Sequence, residues 1–187
     1  FLKDMQEDDW DKIYLENLKS AYNIVRHVSP LFRKQKYGRV VTLSAKSGLI
    51  GASKMSNYSA SKAGILGFTK VIAKDLGKYG VTCNSICYDD GNHSLHTSGK
   101  NNLYTNENIA SLATYLASEY SAPINGQIFQ VDAGKITHIS LPRRNKTFLS
   151  SSQSGTFKVD EIDSNIESVL IDQPKILPKY KNLNDKV

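Results

Sequence analysis

The chain has 187 residues, 40% of them hydrophobic, and a formal net charge of +6; that suits one domain with an ordinary buried core plus a tail. No run of about 18 apolar residues occurs, so no hydrophobic membrane-spanning helix is expected, and Phe1-Leu2-Lys3-Asp4 lacks the profile of a signal peptide. Lys and Arg are scattered except at Arg143-Arg144-x-Lys146, which reads as a diffuse basic surface, and no aromatic-and-basic recognition motif points to a nucleic-acid partner.

Acidic Glu7, Asp8 and Asp9 precede the apolar series Trp10, Ile13, Tyr14, Leu18, Ala21, Tyr22 and Val25. Its three-and-four spacing predicts an amphipathic helix over residues 8–28, with Trp10 on the core face and Pro30 helping to end it. A chain that enters an acidic helix at once, without an initiator Met, reads as part of a longer frame. After a basic turn from Arg33 to Gly38, Arg39-Val40-Val41-Thr42-Leu43-Ser44 predicts a short buried strand, and a Ser/Gly/Lys-rich loop follows to about Ser56.

A second helix is predicted from Tyr58 to Lys78, with Ala60, Ala63, Gly64 and Gly67 as small faces for close packing and Gly80 as the stop signal. Residues 81–87 predict a strand in which Cys83 and Cys87 share a face about 13 Å apart. That is beyond disulfide reach and points to a reducing compartment. Asp89 to Thr105 reads as a polar loop; Asp89, Asp90, His93 and His96 gather there, but their spacing fits no metal loop. A third helical pattern covers Glu107 to Ser118, and Gln127-Ile128-Phe129-Gln130-Val131 is the third strand. His27 and His138 are isolated and read as structural or exposed, and the sequons at Asn57, Asn92 and Asn145 read as chance.

Strands alternating with helices imply parallel pairing through right-handed crossovers, hence an α/β fold. Three strands leave an edge to be covered, so a preceding segment is expected to supply more. Beyond Phe148 the composition turns to Ser, Asp, Lys and Pro, and residues 149–187 read as a linker or flexible tail with one short helix around Val159 to Leu170.

The chemistry lies in Tyr58-Ser59-Ala60-Ser61-Lys62, where a Tyr and a Lys at i and i+4 share one helix face. A phenol ionises at about pH 10. An ammonium beside it favours the phenolate and suits it to move a proton to or from an alcohol.

The segment Asn57-Tyr58-Ser59-Ala60-Ser61-Lys62-Ala63-Gly64 closely resembles the active-site helix of short-chain dehydrogenases/reductases. Tyr37-Gly38-Arg39-Val40-Val41 is similar to the entry of that family's fifth strand, and Glu16-Asn17-Leu18 to the segment that carries its catalytic Asn. Asn125-Gly126-Gln127 with Val131-Asp132-Ala133-Gly134 is similar to its closing strand. The resemblance spans roughly residues 1–135. It implies a Rossmann-like doubly wound parallel sheet whose N-terminal nucleotide-binding strands are missing from this chain: a partial domain over residues 1–148, followed by the tail. It also implies Tyr58 as general acid/base, Lys62 as the residue that lowers its pKa and bonds the nicotinamide ribose, and Asn17 as holder of a proton-relay water. The cofactor implied is NAD, with NADP left open.

Three departures bear on activity. The family's catalytic Ser lies thirteen residues before the Tyr, and Ala45 stands there; losing such a contact costs on the order of a hundredfold in rate. Ser44 and Ser47 flank the gap as candidate substrate-binding hydroxyls, although Ser44 points to the opposite face if the strand continues. No glycine-rich phosphate turn occurs in the chain, and Cys87-Tyr88 replaces the Pro-Gly that borders the family's nicotinamide.

Lys36-Tyr37-Gly38-Arg39, Asn125-Gly126-Gln127-Ile128-Phe129 and the trailing basic stretch are most similar to the dehydrogenase units of peroxisomal multifunctional β-oxidation enzymes. That implies oxidation of a 3-hydroxyacyl-CoA, a peroxisomal or otherwise cytoplasmic location, and a homodimer formed through helices 8–28 and 58–78. The terminal Asp185-Lys186-Val187 is no peroxisomal tripeptide. Arg143 and Arg144 read either as contacts to coenzyme A phosphates or as solvated surface charges. The alternative is a catalytically degenerate domain retained for assembly, and Ala45 favours it.

Overall fold

The computed structural model describes residues 2–88, 106–132, 134–140 and 156–169. Glu7, Asp8 and Asp9 occupy the first turn of α1 (Glu7–Tyr14), where carboxylates complement the positive end of the helix dipole. A single π turn (Leu15–Lys19) joins α1 to α2 (Ser20–Gln35). Its extra residue rotates the helix. Ile13, Leu18, Ala21 and Val25 turn inward, while Trp10, Tyr14 and Tyr22 stay exposed. Trp10 is therefore not a core residue, contrary to the expectation from the apolar spacing.

Pro30 does not end this helix, which continues to Gln35. A proline leaves the carbonyl of residue i−4 without its donor, at a cost of about 3 kcal/mol inside a helix. Here that carbonyl, Arg26 O, accepts the Ser29 hydroxyl at 3.2 Å, and Phe32 beyond the proline packs over Gly38. Lys36 then closes the helix in the left-handed conformation.

Strand β1 (Gly38–Ala45) runs into a short helix, α3 (Lys46–Ile50), within the stretch expected to be loop. Helix α4 (Ser56–Gly77) buries Ser61, Lys62, Ile65, Leu66, Thr69, Ala73 and Leu76 on its inner face. Of its small residues, Gly64 makes the close approach, since a Cβ there would come 2.6 Å from Leu18 Cδ2; Ala60, Ala63 and Gly67 are exposed. Strand β2 (Val81–Tyr88) follows, buried along almost its whole length as a central parallel strand requires.

Helix α5 (Asn106–Ala117) leads to β3 (Ile128–Asp132) and then to a fourth strand, β4 (Lys135–Ile139), where three strands were expected. The order is β1-β2-β3-β4: β1, β2 and β3 are parallel, and β4 folds back antiparallel with Asp132 opposite Lys135. A mostly exposed polar edge such as Lys135-Ile136-Thr137-His138-Ile139 carries little of the apolar signal by which buried strands are read. His138 on it is exposed and bonds Gln127 Oε1 at 2.9 Å.

Both faces of the sheet are covered. Ile86 and Val131 pack with Leu112 and Leu116 of α5 on one side, and Cys87 and Ile128 pack with Leu66 of α4 on the other. Each such side chain contributes about 1.5–3 kcal/mol by leaving water. This is the doubly wound, Rossmann-like α/β arrangement the sequence predicts. Asn84 and Asn125 fix the join between β2 and β3. Asn84 Nδ2 donates to Ile124 O at 2.8 Å and its Oδ1 accepts from Gln127 N at 2.9 Å, while Asn125 Oδ1 accepts from Cys83 N at 2.9 Å and its Nδ2 donates to Ala73 O at 2.9 Å. Cys83 and Cys87 are both buried and unbridged.

The chain divides into two compact units, Phe1–Ser140 and Leu141–Val187. In the second, α6 (Val159–Val169) lies where the short helix was predicted, with Asp160 and Glu161 in its first turn.

Candidate active site

The parallel strands β1 and β2 end side by side, Ala45 in register with Tyr88. Ligands of open α/β sheets bind outside such carboxyl ends. The start of α4 reaches this edge. Asn57 Oδ1 accepts the main-chain N–H of Tyr58 at 2.8 Å, satisfying one donor of the helix start, and Asn57 Nδ2 donates to Asp9 O at 3.2 Å. Asn57 thereby ties α1 to the turn that carries Tyr58. The sequence marks it only as the flank of a motif.

Tyr58 and Lys62, one helical turn apart, come together as the spacing requires. Lys62 Nζ lies 5.3 Å from the centroid of the Tyr58 ring and 5.5 Å from that of Tyr88. Lys62 is 6% exposed. Its ammonium is held by Leu43 O at 3.3 Å and by the two ring faces, contacts that contribute about 0.5–2 kcal/mol each and offset part of the cost of leaving water. The hydroxyl oxygens of Tyr58 and Tyr88 are 2.7 Å apart. Tyr88 as a neighbour of Tyr58 is legible only from the register of β1 against β2, because the two residues are thirty positions apart.

Ala45 is wholly buried at the end of β1. Ser44, on the opposite side of the strand, is also wholly buried, and its Oγ donates to Lys62 O at 2.8 Å. Its hydroxyl thus faces α4 and not the strand edge. Ser47 is buried within α3. The backbone of α3 lies directly on α4 at Gly48, where a Cβ would come 2.8 Å from Lys62 C and Lys62 Cβ and 2.9 Å from Ala63 N. Asn17 sits in the π turn, one residue before the Leu18 that meets Gly64, and its Nδ2 donates to Ile13 O at 3.0 Å.

Asp89, Asp90, His93 and His96 lie outside the described residues, as do Asn92, Arg143, Arg144, Asn145 and the terminal Asp185-Lys186-Val187. Among the described residues no helix is long and apolar enough to cross a membrane.

The family model of short chain dehydrogenases matches residues 1–90. A peroxisomal hydratase-dehydrogenase-epimerase of Neurospora crassa is 32% identical over 157 residues, which is 82% of this chain and 18% of the relative. A 3-oxoacyl-[acyl-carrier-protein] reductase of Synechocystis is 33% identical over 147 residues, 71% of this chain and 58% of its own. The hydroxyacyl-CoA dehydrogenase ChsB1 of Mycobacterium tuberculosis is 29% identical over 170 residues, covering 82% of this chain and 54% of the relative. Among solved structures, the full-length peroxisomal multifunctional enzyme type 2 of Drosophila melanogaster superposes with a TM-score of 0.74 at 26% identity, over 88% of this chain and 30% of that one. A short chain dehydrogenase from Mycobacterium avium gives 0.78 at 26% identity, over 88% of this chain and 58% of that one. The chain spans less than two thirds of each of these proteins.

Proposed function

The chain belongs to the short-chain dehydrogenase family, and on that premise we propose that it forms part of an NAD-dependent oxidoreductase that oxidises the 3-hydroxyl group of an acyl-CoA thioester. The observation that carries this reading is the pairing of Tyr58 with the buried ammonium of Lys62 at the carboxyl ends of β1 and β2. A hydroxyacyl-CoA dehydrogenase and a peroxisomal enzyme among the relatives support the thioester substrate and a peroxisomal compartment.

Tyr58 is the acid/base. Its oxygen takes the proton of the substrate hydroxyl while the cation of Lys62 stabilises negative charge on the phenol. The residues present fit the nicotinamide-ribose end of the cofactor. Among the described residues the Lys62 ammonium has one acceptor, Leu43 O, and an ammonium carries three hydrogens, so two are left for ribose hydroxyls. No glycine-rich turn stands in the chain to cradle a pyrophosphate. The dinucleotide, when bound, supplies the hydride acceptor. Asn17, in the π turn, is proposed to order the water through which Tyr58 exchanges its proton, and Ser47 to bound the substrate side.

A homodimer through helices 8–28 and 58–78 is part of the same proposal, supported by the exposure of Trp10, Tyr14, Ile24 and Val71 on those helices. One observation favours a second reading, a domain kept for assembly alone: Ala45 brings no hydroxyl to the site. The test is NAD-dependent oxidation of a 3-hydroxyacyl-CoA by the full-length protein that contains these residues, followed as reduced nicotinamide. Steady formation is the expected result. Its absence, together with an absence of NADH binding, would leave the assembly reading.

A further inference from the structure

We propose that Tyr88 is a positioning residue for Tyr58: the two phenols share a hydrogen bond beside the Lys62 ammonium, and this bond holds the negative charge that Tyr58 carries when it acts as a base. The proposal rests on the oxidoreductase reading above and adds a residue to it.

Three observations carry it. The separation of 2.7 Å between the two hydroxyl oxygens is that of a well-formed O–H···O bond. One cation serves both rings, with Lys62 Nζ 5.3 Å from the first centroid and 5.5 Å from the second. In addition, the neighbour of Tyr88 on β1 is Ala45, a fully buried methyl group. At this edge of the sheet Ala45 offers no hydroxyl, and the Tyr88 hydroxyl reaches Tyr58 from the adjacent strand.

The proton count is simple. With Tyr58 ionised, the Tyr88 hydroxyl donates to it, and a hydrogen bond to a charged oxygen is about twice as strong as one between neutral groups. The substrate O–H bond breaks and its proton passes to Tyr58 Oη. The carbon–hydrogen bond gives its electron pair and hydrogen as hydride to the oxidised nicotinamide, the two-electron acceptor. Tyr58, now protonated, donates to Tyr88 Oη in turn. Tyr88 keeps its own proton throughout and needs no contact with substrate.

Tyr88→Phe removes the hydroxyl and keeps the ring over Lys62. In the full-length protein it is expected to lower kcat by roughly ten- to a hundredfold with little change in KM. The acidic limb of the pH–rate profile should move upward by about one unit, because a phenol deprived of its donor ionises less readily. An ultraviolet titration of tyrosine ionisation supplies a readout independent of turnover. Relative to the parent, Tyr88→Phe should move the ionisation of Tyr58 to higher pH, and Tyr58→Phe should remove it.

An unchanged kcat and pH limb in Tyr88→Phe, in a protein that Tyr58→Phe inactivates, would overturn the role of Tyr88 and leave the oxidoreductase reading intact. A Tyr58 ionisation that does not move in Tyr88→Phe would do the same. No turnover in the parent protein would overturn the oxidoreductase reading and the role of the pair with it.

Discussion

Ser44 Oγ donates a 2.8 Å hydrogen bond to the main-chain oxygen of Lys62, so β1 is tied to α4 at the residue whose ammonium enters the site. Both residues are buried. The bond joins the strand to the helix independently of substrate. Ser44→Ala is expected to cost about 1 kcal/mol of stability, read as a lower urea midpoint at unchanged slope, with KM for the acyl thioester unaltered. A rise in KM without a stability change would instead make Ser44 a substrate contact.

Gly48 makes a tighter demand on the same helix turn. A methyl group there meets Lys62 and Ala63 main-chain atoms within 2.9 Å, and backbone cannot yield as a side-chain tip can. Gly48→Ala should therefore cost about 1–3 kcal/mol and lower kcat more than Ser44→Ala does, because relief of the clash moves the turn that bears Lys62. Parallel urea melts and kinetics of the two variants check the order.

Burial pushes the Cys83 thiol from its ordinary 9.0 up to about 12, a shift partly opposed by a hydrogen bond with Thr69. A group harder to ionise when folded than when unfolded leaves stability intact below pH 9. That stability then falls as the pH rises toward 12, since the unfolded chain gains from thiolate formation there. Thiol-reagent labelling at pH 8 is expected to proceed at the rate of unfolding, and the urea midpoint is expected to decline between pH 9 and pH 11. In Cys83→Ala that part of the alkaline decline should vanish.

Ile24 and Val71 are 65% and 54% exposed on α2 and α4. A charge at the centre of a helix-to-helix interface between copies leaves it desolvated without a partner. Ile24→Glu with Val71→Glu should convert a dimer to a monomer in analytical ultracentrifugation without loss of helicity. An unchanged sedimentation coefficient would exclude these faces as the interface.

What was legible in the sequence followed the strength of the local pattern. The runs Arg39 to Ser44 and Val81 to Cys87 and the inner face of Ser56–Gly77 carry their strand and helix signals locally, and their strands and helix lie within two residues of expectation, although Leu43 of the first run is exposed and its valines only half-buried. Tertiary partners decided the rest. The helix crosses Pro30 because Ser29 answers Arg26 O, and the π turn rotates Trp10 away from the core. The edge strand Lys135–Ile139 is too polar to announce itself. The i, i+4 pair of Tyr58 and Lys62 could be read directly from spacing, whereas the approach of Tyr88 depends on the parallel register that sets it beside Ala45.

The most direct test of the central claim is the rate of NAD-dependent 3-hydroxyacyl-CoA oxidation by the full-length protein and by its Tyr58→Phe variant, with folding of both verified by circular dichroism. If Tyr58 is the proton acceptor, the variant loses on the order of 10²- to 10⁴-fold in kcat while remaining folded. A folded variant that oxidises the substrate at the parent rate would contradict the account.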